Sequence, residues 1–225
     1  MNPLTRHRVF GKDKKPTIYY FVGYRGKISR FESHIKLFVR AGFRVMAFEY
    51  DPKVLGGGKP QFLITAIKEV LKVINDDKQN REIAGAYGIS LGSLFVLNVA
   101  WLPEIKKAIL NTGGVRLSKA VWESPLLQQE KAAYKENGYT RAQVDKAWDP
   151  YDISTDGNKL MGKKLLVMDS KDDPIILFED VDKHFKAWQA QGVDVTVLLT
   201  RRLNHGQAIL RNILRLKTTI QFFKS

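Results

Sequence analysis

The sequence predicts an α/β protein, with a mainly parallel central sheet covered by helices on both faces. Three observations predict it. From residue 16 onward, apolar runs of strand length alternate with longer segments whose apolar residues recur every three or four positions. The strand runs are nearly continuous in apolar residues rather than alternating, as in sheets buried on both sides. The 225 residues, 44% apolar and 27% charged, suffice for one domain with a substantial core.

The elements follow in order. Residues 16–22 (PTIYYFV) are the first expected strand, closed by Gly23, and the residues before them read as a tail. Residues 31–40 carry helical spacing that stops near Gly42, and residues 43–48 (FRVMAF) are the second strand. Residues 51–58 (DPKVLGGG) read as a flexible loop near a site mouth; no Lys-Ser follows the glycines at phosphate-loop spacing. A helix is expected over 62–75, a third strand over 82–87 (EIAGAY) and a helix over 91–102. Residues 107–111 (KAILN) form a short strand closed by Gly113 and Gly114. There the rhythm breaks. Residues 117–148 read as mostly polar-faced helix with a gap at Asn137-Gly138, and Thr140 stands as the N-cap of a new helical start. The break, at about 115–150, is expected to be a small helical lid insertion within a single domain spanning 1–225. The alternation then resumes with a strand at 164–168, a helix at 178–191, a strand at 193–199 and a helix at 206–223.

Composition excludes several chemistries. With no cysteine, the chain has no disulfide, no thiolate nucleophile and no Cys-ligated metal. No apolar window reaches bilayer length, and the basic N-terminus lacks the apolar core of a secretory signal, so a cytoplasmic protein is expected. The net charge of +14 is spread along the chain without a block of five like charges. No specific nucleic-acid partner is expected, and association with anionic surfaces or acidic substrates stays open. So does the oligomeric state.

The chemistry centres on Gly88-Ile89-Ser90-Leu91-Gly92, at an expected strand-to-helix junction. A sharp turn there lifts the serine above the sheet edge, and its neighbours must be small because strand, turn and helix backbones approach closely. The Leu91 N–H is left free at a helix N-terminus, where developing negative charge is stabilised. A serine nucleophile needs a base, and the base an orienting carboxylate. Two later strands end in such groups: one is followed by Asp169-Ser170-Lys171-Asp172-Asp173-Pro174, the last by Asn204-His205-Gly206. All lie at strand C-terminal ends, where open α/β sheets bind ligands. Asp172 and Asp173 are both candidates for the acid; Asp169 sits too close to its strand, and Asp194 belongs to the opposite end.

In these residues the sequence resembles the α/β-hydrolase superfamily over most of its length. Gly88–Gly92 is similar to its nucleophile elbow, residues 170–176 to the loop carrying its acid, and Asn204-His205-Gly206 to its histidine segment. Gly23-Tyr24-Arg25-Gly26 resembles the loop that supplies a second oxyanion donor, which implies the Tyr24 N–H. Gapless matching to the acid loop favours Asp173. Val22, Ser170 and Asn204 depart from the usual His, Gly and Gly. The resemblance implies a serine hydrolase of carboxylic esters, esterase- or lipase-like, acting on a small-molecule ester or lipid-like substrate without cofactor or metal. Ser90, Asp173 and His205 would be catalytic, with Leu91 and Tyr24 as oxyanion donors. Thioesterase or peptidase activity on the same residues stays open, as does a non-catalytic binding protein of this fold. His7 falls in the tail, and His34 and His184 on helices as surface or groove residues, with no metal-ligand spacing. Trp122, Tyr134, Tyr139 and Trp148 either line an acyl pocket or pack the insertion onto the core.

Overall fold

The computed structural model describes residues 3–79, 81–113, 116–152 and 157–225. A seven-stranded sheet runs through it in the order β1-β3-β2-β4-β5-β6-β7. The strands are β1 (Thr5–Phe10), β2 (Thr17–Phe21), β3 (Arg44–Tyr50), β4 (Ile83–Ile89), β5 (Lys107–Asn111), β6 (Lys164–Ser170) and β7 (Asp194–Thr200). All neighbours pair in parallel except β1, which runs antiparallel to β3.

The helices are α1 (Ile28–Arg40), α2 (Lys53–Gly56), α3 (Pro60–Asp77), α4 (Leu91–Val99), α5 (Leu117–Glu123), α6 (Gln128–Glu136), α7 (Arg141–Trp148), α8 (Phe178–Ala190), α9 (His205–Ile213) and α10 (Leu216–Lys224). Adjacent residues of β2 show that they cover both faces, since successive strand side chains point oppositely. Tyr20 stacks on Tyr87 at 5.0 Å and meets His34 and Phe38 of α1. The next residue, Phe21, meets Phe95 of α4. All five residues of β2 are buried, so its sequence carries no alternation.

The structure corrects the sequence reading at four places. The supposed N-terminal tail holds β1, an edge strand. Only Thr5 and Phe10 of it are buried, so no apolar run announces it; ladder hydrogen bonds to β3 hold it. His7 therefore sits on a strand, its ring 5.8 Å from Phe48. Residues 53–56, read as loop, form the helical turn α2, and a Cβ on Gly58, which has φ +64°, would overlap the Ala133 carbonyl. The single helix expected at the C-terminus is two, α9 and α10, broken at Arg215 without Gly or Pro. The break turns α10 back so that Phe223 reaches Phe38 and Phe43. His34, expected at the surface or in a groove, is 5% exposed and borders a groove between α1 and α9. Gly114, read as closing β5 with Gly113, lies outside the described residues.

Thr140 caps α7 as expected, in a reciprocal capping box with Gln143. No helix among the described residues is long and apolar enough to cross a membrane.

Burial lowers the His34 pKa to about 4, while its Nδ1 pairs with the Tyr20 hydroxyl at 2.9 Å. The imidazole is thus held neutral. Its contribution to stability is present above its ordinary pKa and is lost as pH falls from about 6.5 towards about 4, amounting to roughly 3 kcal/mol at full protonation. Urea midpoints measured between these pH values should fall less steeply in His34→Gln than in the wild type.

Candidate active site

Three strand ends meet at one edge of the sheet. At the end of β4 the chain turns sharply into α4, and Ser90 takes φ 51° and ψ −118°. A non-glycine residue reaches such a conformation only where its surroundings impose it. Here they do. Ser90 N–H donates to the Asn111 carbonyl at 2.9 Å, and the Ser93 N–H returns to the Ser90 carbonyl at 2.8 Å. The flanking glycines are obligatory for the reason read from the sequence. A Cβ on Gly88 would overlap the Gly92 carbonyl, and one on Gly92 would overlap the carbonyl of Phe21 in β2. A Cβ on Gly23 would come within 3.4 Å of the Ser90 Cβ, so the end of β2 also abuts the serine.

After β6, the Asp173 carboxylate is 4% exposed. Its Oδ1 accepts the N–H groups of Ile175 at 2.8 Å and Ile176 at 3.0 Å, and its Oδ2 lies 2.7 Å from His205 Nδ1. The other imidazole nitrogen, Nε2, lies 2.9 Å from Ser90 Oγ. A carboxylate only accepts, so Nδ1 carries the proton and Nε2 is left to accept from the Ser90 hydroxyl. Asp172 instead takes the backbone N–H of Arg202 at 2.7 Å. The geometry thus separates two adjacent aspartates that the residues alone left open.

The histidine's position is itself fixed by polar contacts. Asn204 caps α9 in a capping box with Gln207. The Ser170 hydroxyl donates to the Leu203 carbonyl at 2.7 Å, tying the β7–α9 loop to the end of β6. In the last turn of α9, the buried Asn212 amide donates to Asn111 Oδ1 at 3.0 Å and to the Met168 carbonyl at 2.9 Å. None of these positioning contacts was read from the sequence. Ser170 was noted only as a departure from glycine, yet its hydroxyl makes one of them.

Among the described residues, neither the Leu91 nor the Tyr24 N–H donates to an acceptor in the chain. Both residues line one cavity with Ser90 and His205, of about 150 Å³. Its remaining wall is mostly aliphatic, with Leu55, Leu94, Leu117, Leu127 and Ile175 in it, and Arg116 adds one charged residue. The four aromatic residues singled out between β5 and β6 are not part of that wall. Tyr134 packs edge-on against Trp148 at 5.7 Å, and the Trp148 indole N–H donates to the Pro60 carbonyl at 3.1 Å. Leucines at 117 and 127 line the cavity instead, and nothing in their sequence pattern marks them apart from core residues.

Beside the site Asp169 is 2% exposed, and neither carboxylate oxygen accepts a hydrogen bond among the described residues. Burial, then the charge of Asp173, push its carboxyl well above the usual carboxylate range; the nearby Gly113 N–H pulls weakly the other way.

Comparison with known proteins follows from this geometry. No protein-family model matches the chain. No curated protein matches it in sequence. Solved structures do resemble it. A carboxylesterase structure from the ammonia-oxidizing thaumarchaeon Nitrososphaera gargenis is 14% identical, with 98% of this chain and 94% of that one covered at a TM-score of 0.65. A monoacylglycerol lipase of Paleococcus ferrophilus is 15% identical, covering 97% and 99% at 0.64. An acylaminoacyl peptidase of Pyrococcus horikoshii is 16% identical at 0.67; 98% of this chain is covered but only 41% of the peptidase.

Two measurements test the site. Gly92→Ala should cost about 1–3 kcal/mol in chemical denaturation, because the clash is with backbone that has no room to yield. Asp169 takes up a proton on folding, so its contribution is whole below the ordinary carboxylate pKa and is lost as pH rises through the raised value. Stability should therefore decline less with rising pH in Asp169→Asn than in the wild type. At such low identities likeness reaches the architecture alone: the chain has the α/β-hydrolase fold.

Proposed function

We propose that the protein is a serine hydrolase of carboxylic esters with small acyl groups. The observation that carries this reading is the unbroken line Asp173–His205–Ser90, with contacts of 2.7 and 2.9 Å, opening on a mostly aliphatic cavity. In the reaction, Ser90 Oγ attacks the ester carbonyl while His205 Nε2 takes the hydroxyl proton. The oxyanion so formed accepts the free N–H groups of Leu91 and Tyr24; the first stands at the start of α4, where the helix dipole adds to it. Collapse expels the alcohol, which receives the proton from His205, and leaves Ser90 acylated. Water then attacks the acyl group, giving its proton to His205, and the acid departs as Ser90 is reprotonated. Asp173 holds the Nδ1 tautomer and stabilises the imidazolium.

The acyl group would occupy the cavity. A volume near 150 Å³ admits a group of about six heavy atoms, since an apolar hole of that size binds benzene. In this reading α5 and the turn after it act as the lid, because Leu117, Ala120 and Leu127 form the cavity's outer wall. The carboxylesterase and lipase among the similar structures favour ester chemistry by analogy.

A fluorophosphonate probe should label the wild type and leave Ser90→Ala unlabelled. Across p-nitrophenyl esters, turnover should be highest for short acyl chains and fall steeply once the chain exceeds the cavity. His205→Ala should lose roughly a thousandfold or more in turnover while keeping its circular dichroism. Undiminished turnover by either variant would refute the assignment.

A further inference from the structure

Residues 195–225 contain Arg201, Arg202, Arg211, Arg215, Lys217 and Lys224 and no aspartate or glutamate. This last seventh of the chain therefore holds +6 of the net charge of +14. Among the described residues, none of the six forms an ion pair, although arginines and lysines elsewhere commonly do. The facing carboxylate of Asp172 is taken by the Arg202 backbone N–H. Burial and the neighbouring charge of Arg211 pull the Arg215 guanidinium below its ordinary value.

The apolar residues of α9 are placed the wrong way round for a helix that only covers a sheet. Its buried positions are the small Ala208 and the polar Asn212. Leu210 and Leu214 are 60% and 70% exposed, among the most exposed large apolar residues described. Four apart, they stack on one side of the helix. Ile209 and Ile213 lie half-buried beside them, in a groove shared with Arg30 and Phe31 of α1.

We propose that this outer face of α9 is a docking surface for an anionic lipid bilayer. Unpaired cations supply attraction to phosphate headgroups, and the exposed leucines supply apolar area that inserts at the acyl boundary. The leucines favour lipid over nucleic acid, which would leave them in water. A second copy of the chain is disfavoured, because it would bring two faces of the same charge together. The inference does not depend on the hydrolase reading, since binding is measured without turnover.

The test is co-sedimentation of the full chain with vesicles at low salt. Vesicles of phosphatidylcholine mixed with phosphatidylglycerol should bind the wild type, and pure phosphatidylcholine should not. Binding should weaken as salt is raised. Arg211→Gln with Arg215→Gln should weaken it roughly thirtyfold, at about fivefold per arginine. Leu210→Ser with Leu214→Ser should weaken it several-fold with circular dichroism unchanged; these positions are exposed, so the fold does not depend on them. Equal binding of either double variant, or of the wild type to pure phosphatidylcholine, would overturn the proposal. Duplex DNA binding the wild type and the leucine variant alike, with no vesicle binding, would overturn it in favour of a general polyanion surface.

Discussion

The 2.9 Å contact between His205 Nε2 and Ser90 Oγ joins residues 115 positions apart. A hydrogen bond of that length tolerates only a few tenths of an ångström before it weakens. The surrounding structure is built to that tolerance. On the serine side, backbone packing does the holding: β2, β4 and α4 approach until no Cβ fits at Gly88 or Gly92. On the histidine side, hydrogen bonds do it. Ser170 and Asn212 fasten the loop and helix that carry the imidazole to the ends of β5 and β6, and Asn204 caps that helix.

This arrangement concentrates polar groups where the fold is otherwise apolar. Asn111, Thr112, Asp169, Asp173 and Asn212 are all buried within or beside the sheet edge. Most are partnered, which offsets the cost of removing them from water. Asp169 is not, and burial together with the charge of Asp173 pushes its carboxyl well above the usual carboxylate range.

Helix α9 links the two surfaces considered above. Its first residue is His205, its buried face anchors it to the sheet through Asn212, and its outer face carries Leu210 and Leu214 among unpaired arginines.

The sequence by itself determined the alternation of strand and helix, because buried parallel strands must be continuously apolar and covering helices must repeat every three to four residues. It also placed Ser90, the Asp172-Asp173 pair and His205 after strand ends, since the two glycines around the serine and the order of the strand-ending groups are local features. It did not reveal β1, whose exposed residues carry no apolar run, nor the break at Arg215, which no glycine or proline marks. Only the tertiary structure decided between Asp172 and Asp173, neighbours whose side chains differ solely in which loop contacts they find. It alone showed that Leu117 and Leu127, not the nearby aromatics, wall the cavity. Which apolar residue faces a hole and which faces a neighbour depends on how helices distant in sequence pack together, and no local pattern encodes that.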